Sequence, residues 1–511
     1  MYTNIGKMLF AYHIALLTFA YTCNSANILY IGYPSYSHII GPANVAKLLK
    51  YQGHNVRIAA PTYLTDRLSE FGVGLLLYHC FDGTNEDPMT KINTKNVFKK
   101  ISLLEMIFHR DEALNKLVDI NSKILKDDRF IEEIKNFKPE LILLDFSATS
   151  FMLVLIPYKF NVSFIMIGDR DYPQITRTPI LPTVFPHLVL PYTNQMNFLQ
   201  RLLNTLLNLL GYWVHPINNP SLLSEFIPEK PYVSPMELQT RAQLWIIWQQ
   251  SVFSYNEPMM PNVKRVGHLH NPSLRELPIE FKTFMNEAEY GVVIVSFGSV
   301  LASVPSEIMG ILLKAFERTK YKYIIQSPWQ NNTSSQFMFN KWLPQFDLLR
   351  HKNTKLLISH CGSNSIQEAI IAGVPILGFP VFGDQPANAA MVVNQGFGAM
   401  LNLGSFSIDE LVSTIEKVTT NLKYRKKIQK ASAILRSERS PTEEAAYWIN
   451  HVLMFGGDHL RSYAQDIPLW KYLGLDIIVF FLIIWHACIY LLVKFSKKMF
   501  LLCFRYKEKH D

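Results

Sequence analysis

Short apolar runs, each closed by glycine or a small polar residue and followed by a helical period, recur in two stretches of this chain. In the first, Asn27-Ile28-Leu29-Tyr30-Ile31-Gly32 reads as a buried strand of the parallel type, since an unbroken apolar run needs cover on both faces. A turn-forming Pro34-Ser35-Tyr36-Ser37 leads into a helix predicted over about 38–51 and capped by Gly53. Residues 55–59 return as a strand, and Leu141-Ile142-Leu143-Leu144 forms another that ends at Asp145. The pattern restarts at 291–299 with a strand and a glycine turn, a helix near 305–320 and a strand at 321–325. Leu356-Leu357-Ile358 then reads as a strand stopping at His360, residues 363–372 as a helix, and 374–379 as another buried strand. Alternating strands and helices imply parallel sheets, which bind ligands beyond the carboxyl ends of their strands. The boundary between the halves is predicted within 272–289, in a charged linker. Residues 198–210 have the period of an amphipathic helix, inside a segment (178–213) rich in Pro, Leu and Phe.

The two ends place the chain in a compartment. Lys7 precedes an apolar run at 8–20 and small residues near Ser25, the layout of a secretory signal peptide over 1–25. Residues 477–493 carry no formal charge, and with 473–475 they make a membrane helix over 473–493. Lys494, Lys497, Lys498, Arg505, Lys507 and Lys509 crowd the tail at 494–511, so the positive-inside rule puts the tail in the cytosol and the body in a lumen. The last residues, Lys507-Glu508-Lys509-His510-Asp511, fit the Lys-x-Lys-x-x form of endoplasmic-reticulum retrieval signals. These features predict a single-pass type I protein of the endoplasmic reticulum membrane. A chain of 511 residues suits two domains plus appendages, taken as 26–280 and 281–465. The net charge of +9 sits partly in the tail, which argues against a nucleic-acid surface. Cys23 leaves with the signal peptide, Cys488 and Cys503 lie in anchor and tail, and Cys80 and Cys361 are predicted to be free thiols. Asn161, Asn331 and Asn332 head glycosylation sequons, with Asn161 in a strand-like run.

The chemistry concentrates in 342–385. A strand that feeds a glycine turn and then a helix presents free backbone N–H groups and a positive dipole end to an anion. Gly362, Asn364 and Ser365 would form such a turn for a pyrophosphate, with His360 adding a side-chain donor and Ser299 a further contact. Glu368 could accept from a ribose diol, and Asp384 and Gln385, at the end of the next strand, could hold sugar hydroxyls. In the first half, His38 follows the first strand near a helix N-terminus, where the dipole favours a neutral imidazole able to take a proton. Asp145 would orient it and stabilise the imidazolium.

The block Trp342-Leu343-Pro344-Gln345, Ile358 to Ser365, Gln367-Glu368 and Phe379 to Gln385 resembles the signature of the UDP-glycosyltransferase superfamily, in its membrane-bound animal branch related to the UDP-glucuronosyltransferases. That resemblance implies an α/β fold of the GT-B type: two Rossmann-like domains facing a cleft, plus a C-terminal transmembrane helix, with residues near 445–459 crossing back to the first domain. It implies that Trp342 stacks on uracil, Gln345 contacts the nucleoside, His360 binds the diphosphate, Glu368 the ribose, and Asp384 with Gln385 the sugar. It assigns the base to His38 and its assistant to Asp145. The activity it implies is inverting transfer of glucuronic acid or glucose from a UDP-sugar to small lipophilic acceptors, with no metal and no cofactor beyond the co-substrate. Two departures stand out. His360-Cys361-Gly362 replaces the usual His-Gly-Gly, and Gly267-His268-Leu269-His270 a Gly-Gly-Leu-His. No Arg or Lys is assignable to a uronate carboxylate, so the sugar stays open between glucose and glucuronic acid. Asp169-Arg170-Asp171 has the form of a metal-binding DxD string but lies outside the donor half, and reads as a loop ion pair. The 198–210 helix is either core packing or, as is suspected for the family, a surface that dips into the bilayer. Two other function classes compete: a catalytically inactive homologue that binds or oligomerises with a partner, and a nucleotide-sugar epimerase. Homo- or hetero-oligomeric assembly stays open.

Overall fold

The computed structural model describes residues 25–80, 110–146, 148–187, 189–213, 220–269, 276–298, 304–327, 333–381, 383–403 and 405–507. The signal-peptide segment before Ser25, Ser299, the Asn331 and Asn332 sequons and the terminal 508–511 lie outside the described residues.

The apolar runs become two wholly parallel sheets. The first contains β1 (Asn27–Ile31), β2 (Asn55–Pro61), β3 (Gly74–Tyr78), β4 (Leu141–Asp145), β5 (Ser163–Gly168), β6 (Leu244–Ile247) and β7 (Val263–Arg265), in the order β3-β2-β1-β4-β5-β6-β7. The second contains β8 (Val292–Ser296), β9 (Lys322–Gln326), β10 (Phe337–Asn340), β11 (Thr354–Ser359), β12 (Ile376–Gly378) and β13 (Gly398–Met400), in the order β10-β9-β8-β11-β12-β13. Side chains alternate across each sheet. Leu29, Ile31, Ile142 and Leu144 enter one core layer, while Ile28, Tyr30, Leu141 and Leu143 enter the layer on the other face. In each sheet the chain reverses its direction of progress once, between β1 and β4 and between β8 and β11. Connecting loops part at such a point and leave a crevice at the strand ends.

The helices that matter here are α1 (Tyr36–Tyr51), α2 (Phe198–Trp213), α3 (Gln345–Arg350), α4 (Ser363–Ala372), α5 (Gln385–Gln395), α6 (Pro441–Phe455) and α7 (Leu475–Lys507). α6 follows the second sheet in sequence but packs on the first. Ala445, Ala446, Ile449 and Val452 share a core with Ile39, Ala43 and Ala46 of α1, and His54 Nε2 and Asn450 Oδ1 are hydrogen-bonded at 2.9 Å. Small residues at this contact let the two helix backbones come close.

Two expectations change and one open alternative narrows. The charged segment of 272–289 is not simply a linker. Its end folds as a helix, Ile279–Asn286, because Phe281, Phe284 and Met285 recur at helical spacing and bury against the second sheet. Asn161 is not in a strand. It ends the helix Leu155–Phe160 in the left-handed region (φ 54°), exposed, and β5 begins only at Ser163. α2 does not use its leucines as core. Phe198, Leu199, Leu202, Leu206, Leu209 and Leu210 are exposed, while Asn204 and Asn208 are buried. Asn204 explains the inversion: it accepts from His187 N at 2.6 Å and donates to Phe185 O at 2.8 Å, pinning the preceding loop.

Residues 461–511 form a separate unit. Its α7 contains one apolar stretch, Leu475–Leu501, of 27 residues, long enough to cross a membrane, with exposed side chains. The helix runs on through Lys494, Lys497 and Lys498 beyond the expected end at Val493. Lysine is a good helix former, and its long stem can keep the ammonium at an interface.

Candidate active site

His38, Asp145 and His360 sit at the two reversal points. α1 starts just past β1, and Asp145 is the last residue of β4, the neighbouring strand. His38 Nδ1 and Asp145 Oδ2 stand 2.9 Å apart. Asp145 Oδ2 also accepts from Ser150 Oγ at 2.7 Å and from Tyr33 N at 3.2 Å, which fixes the carboxylate within the buried sheet end. The His38 side chain keeps 29% of its surface while that of Asp145 keeps 1%, so the imidazole alone meets the cleft. Burial works against a charged His38, but the Asp145 carboxylate overrides it, helped by Asp169 and Asp384, and holds the imidazole above its usual range. With Nδ1 engaged by the carboxylate, Nε2 is the atom left to take a proton.

At the second reversal point, β11 ends and His360 follows. Its ring lies against Gly298 and Gly362, where any Cβ would collide with it. Glycine is therefore required at both places for lack of space, and at Gly298 also for its φ of 75°. Burial pushes His360 down to about 4, so it is neutral at pH 7. Cys361 adopts φ 66° although it is not glycine, and its buried sulfur packs where Gly378 leaves room. α4 begins at Ser363 with Gly362 as its N-cap and no side chain bonded to the cap. Its first-turn N–H groups thus face the cleft end of the sheet, as an anion site requires. Asn364 Nδ2 donates to Ser37 O at 3.3 Å, linking the first turns of α4 and α1.

Gln345 and Glu368 come together: Gln345 Nε2 donates to Glu368 Oε2 at 2.6 Å and to Ser365 Oγ at 3.2 Å. Trp342 is 49% exposed, edge-on to Tyr36 with ring centroids 6.4 Å apart. The Arg67 guanidinium lies 5.0 Å from the Trp342 ring centre and 5.3 Å from that of Tyr36. Asp384 holds the N-cap position of α5 without a side-chain cap bond; Asn388 Nδ2 donates to its Oδ2 at 2.6 Å and to Cys361 O at 3.1 Å. Gln385 is buried and its Oε1 accepts from Val381 N at 2.9 Å, holding the loop before it.

Sequence reading missed Ser150, Tyr33, Asn388 and, above all, Arg170. The Asp-Arg-Asp string is a loop ion pair, with Arg170 Nε 3.3 Å from Asp169 Oδ2. Asp171 points elsewhere and accepts from Thr176 and Thr178. Arg170 Nη2 also reaches Asp384 Oδ2, at 3.2 Å. Among the described residues, no three or more His, Cys, Asp or Glu side chains gather as a metal would need. A pocket next to this pair is lined by Arg170, Tyr172, Phe185, His187, Tyr255 and Met391, with Asp171 and Glu257 also in its wall. Its lining mixes charged, polar and apolar side chains. Burial pushes His187 down to about 4, with Arg170 adding to the effect.

The family model described as UDP-glucoronosyl and UDP-glucosyl transferase matches residues 27–510. The chain is 28% identical over 478 residues to UDP-glucuronosyltransferase 1-2 of Rattus norvegicus, covering 90% of this chain and 88% of that one. It is 29% identical over 503 residues to UDP-glucuronosyltransferase 3A1 of Homo sapiens, covering 94% of each. Among solved structures it is similar to the calicheamicin glycosyltransferase CalG4, with TM-score 0.60, 16% identity, and 84% of this chain and 99% of that one covered. The spinosyn forosaminyltransferase SpnP aligns with TM-score 0.59, 15% identity, and 84% and 100% covered. These two establish the GT-B fold.

Proposed function

The chain belongs to the UDP-glucoronosyl and UDP-glucosyl transferase family and is a UDP-sugar hexosyltransferase, and on that premise we propose an inverting transfer in which His38 is the base and Asp145 its partner. His38 Nε2 takes the acceptor proton as the acceptor oxygen attacks the anomeric carbon opposite the departing UDP, so an α-linked donor gives a β-glycoside. Asp145 holds the imidazole in one tautomer and offsets the charge that develops on it. Proton transfer contributes roughly 10²–10⁴-fold, and positioning of donor and acceptor supplies much of the rest.

The donor lies along the second sheet in this reading. Trp342 stacks on uracil, Gln345 and Glu368 take the nucleoside and ribose, and His360 with the Gly362–Ser365 turn and Ser299 takes the diphosphate. Asp384 and Gln385 receive the hexose, glucose or glucuronic acid. The observation that carries the proposal is the 2.9 Å His38–Asp145 pair at one reversal point, with the Asp384 carboxylate of the donor block close enough to act on the same imidazole.

The acceptors are small lipophilic alcohols or phenols. The outward leucines of α2 support a body that rests on a bilayer, from which such acceptors would enter. With the apolar α7, they support a type I protein of the endoplasmic reticulum membrane with a lumenal body.

The decisive experiment measures UDP release by microsomes that express the chain, given a panel of lipophilic phenols and either UDP-glucose or UDP-glucuronic acid. Acceptor-dependent release with one donor, lost in His38→Ala, supports the proposal and names the sugar. Equal release by the variant would refute the assigned base.

A further inference from the structure

Arg170 stands just past the carboxyl end of β5, yet its guanidinium reaches α5 on the other side of the cleft. Nη2 donates to Asp384 Oδ2 at 3.2 Å and to Asn388 Oδ1 at 3.4 Å, and Nε to Asp169 Oδ2 at 3.3 Å. Asn388 closes the ring through Asp384 Oδ2 and Cys361 O, so the network ends at the turn beside His360. The Arg170 side chain keeps only 16% of its surface.

We propose that Arg170 is a positioning residue for the donor sugar: from across the cleft it fixes the Asp384 carboxylate, ionised and oriented, to accept hydroxyls of a UDP-hexose. The proposal rests on the donor-site reading above. Three features carry it. The contacts of Asn388 and Arg170 both fall on Asp384 Oδ2, which leaves Oδ1 as the oxygen to accept from a sugar. Asp169 and Asp384 flank one cation; with that cation removed, the half-buried Asp384 would face the Asp169 charge unopposed, and a protonated Asp384 would donate where it must accept. A planar fork is also needed, because one group serves Asp169 through Nε and Asp384 and Asn388 through Nη2, which a lysine ammonium cannot reproduce. The guanidinium is already balanced by two aspartates, so it has no call on the diphosphate, and UDP without a sugar should not sense it.

The groups that face Asp384 set the pH behaviour. They are Asp169, Arg170 and Tyr172 after β5, His38 of α1, and Cys361 before α4. Burial raises the Asp384 carboxyl above its usual range and Asp169 adds to this, while Arg170 opposes both.

The test is calorimetric titration of the detergent-solubilised full chain with UDP, UDP-glucose and UDP-glucuronic acid. In Arg170→Gln, the UDP-hexose that binds the wild type more tightly should lose about 10- to 100-fold in affinity, the size of one charge-assisted hydrogen bond, while UDP changes less than about threefold. The loss should deepen as pH falls from about 8 to about 5.5, as Asp384 takes up a proton. Arg170→Lys should recover only part of the affinity. Asp384→Asn should lose a similar amount, and adding Arg170→Gln to it should cost little more. Equal weakening of UDP and UDP-hexose, fully additive losses, or unchanged hexose affinity would each overturn the proposal. Failure of the wild-type chain to bind UDP would instead overturn the donor-site reading beneath it.

Discussion

Tyr30 Oη donates to His38 O at 3.0 Å, and the bond exists because Pro42 cannot make it. Pro42 lies inside α1, four residues after His38, where the helical ladder would aim an N–H at that carbonyl. The buried Tyr30 hydroxyl fills the vacancy, and Gly32 leaves space for its ring. A buried residue of β1 thereby sets the backbone of the proposed base. Tyr30→Phe should cost about 1–3 kcal/mol in a denaturant titration, by leaving the carbonyl unpaired, and should lower kcat through His38. Adding Pro42→Ala restores the missing N–H and should return much of both. If the second change worsens the first, the carbonyl is not the reason.

The His38–Asp145 pair makes a signed prediction. His38 titrates above its usual range in the folded chain because of the Asp145 carboxylate, so the base is lost as pH falls through a value above 6.5. Asp145→Asn removes the largest of the raising causes and leaves burial opposed only by the weaker Asp169 and Asp384, which lowers the value. The acid limb of kcat/KM should therefore move to lower pH while the plateau drops about 10²-fold or more. The stability contribution has the opposite sense: the pair stabilises the fold below the unfolded pKa and is lost as pH rises through the folded one. An acid limb that stays put in Asp145→Asn would exclude His38 as the titrating base.

His360 offers a separate pH test. Its unliganded value near 4 means that a diphosphate beside it must raise the value and draw in a proton. UDP-glucose should bind more tightly as pH falls from about 7 to about 5, with proton uptake visible in buffers of different ionisation enthalpy. The sugar nucleotide is the better probe, because free UDP has a terminal phosphate that titrates in the same range. His360→Asn should remove the linkage. Linkage that survives in this variant would place the titrating group elsewhere.

Cys361 and Gly378 should behave as one unit. Gly378→Ala would drive a Cβ into the Cys361 sulfur and should cost about 1–3 kcal/mol. Cys361→Gly removes both the sulfur and the strain of a non-glycine residue at φ 66°. The double variant should lie closer to wild type than Gly378→Ala alone, as read by urea unfolding. Strict additivity of the two changes would show that they do not touch.

What the chain disclosed before folding follows the range of each interaction. Strands β1, β4, β8 and β11 are continuous apolar runs, so the sheets and the residues at their ends, His38, Asp145 and His360, were legible from local pattern. The helix Ile279–Asn286 was harder to see, because a short apolar stripe at 281, 284 and 285 is diluted by charges on its outer face. The leucine period of α2 revealed a helix but not the medium its face would meet. The buried Asn204 that decides this acts through contacts with a loop. Arg170 was legible only as part of a local string, since its partner Asp384 lies 214 positions away and on the other sheet. No periodicity reports a side chain that reaches across a cleft.

The return of α6 to the first sheet bears on how the chain is made. His54 meets Asn450 across 396 positions, so one side of the earliest-synthesised domain lacks its covering helix until nearly all of the body has emerged. During that interval Ile39, Ala43 and Ala46 present a greasy surface to solvent, and a nascent chain so exposed invites holding by chaperones. A premature stop between β13 and α6 would release a protein whose two sheets have formed but whose clasp is missing. Such a product would be handled as misfolded even with every residue of its proposed active site in place.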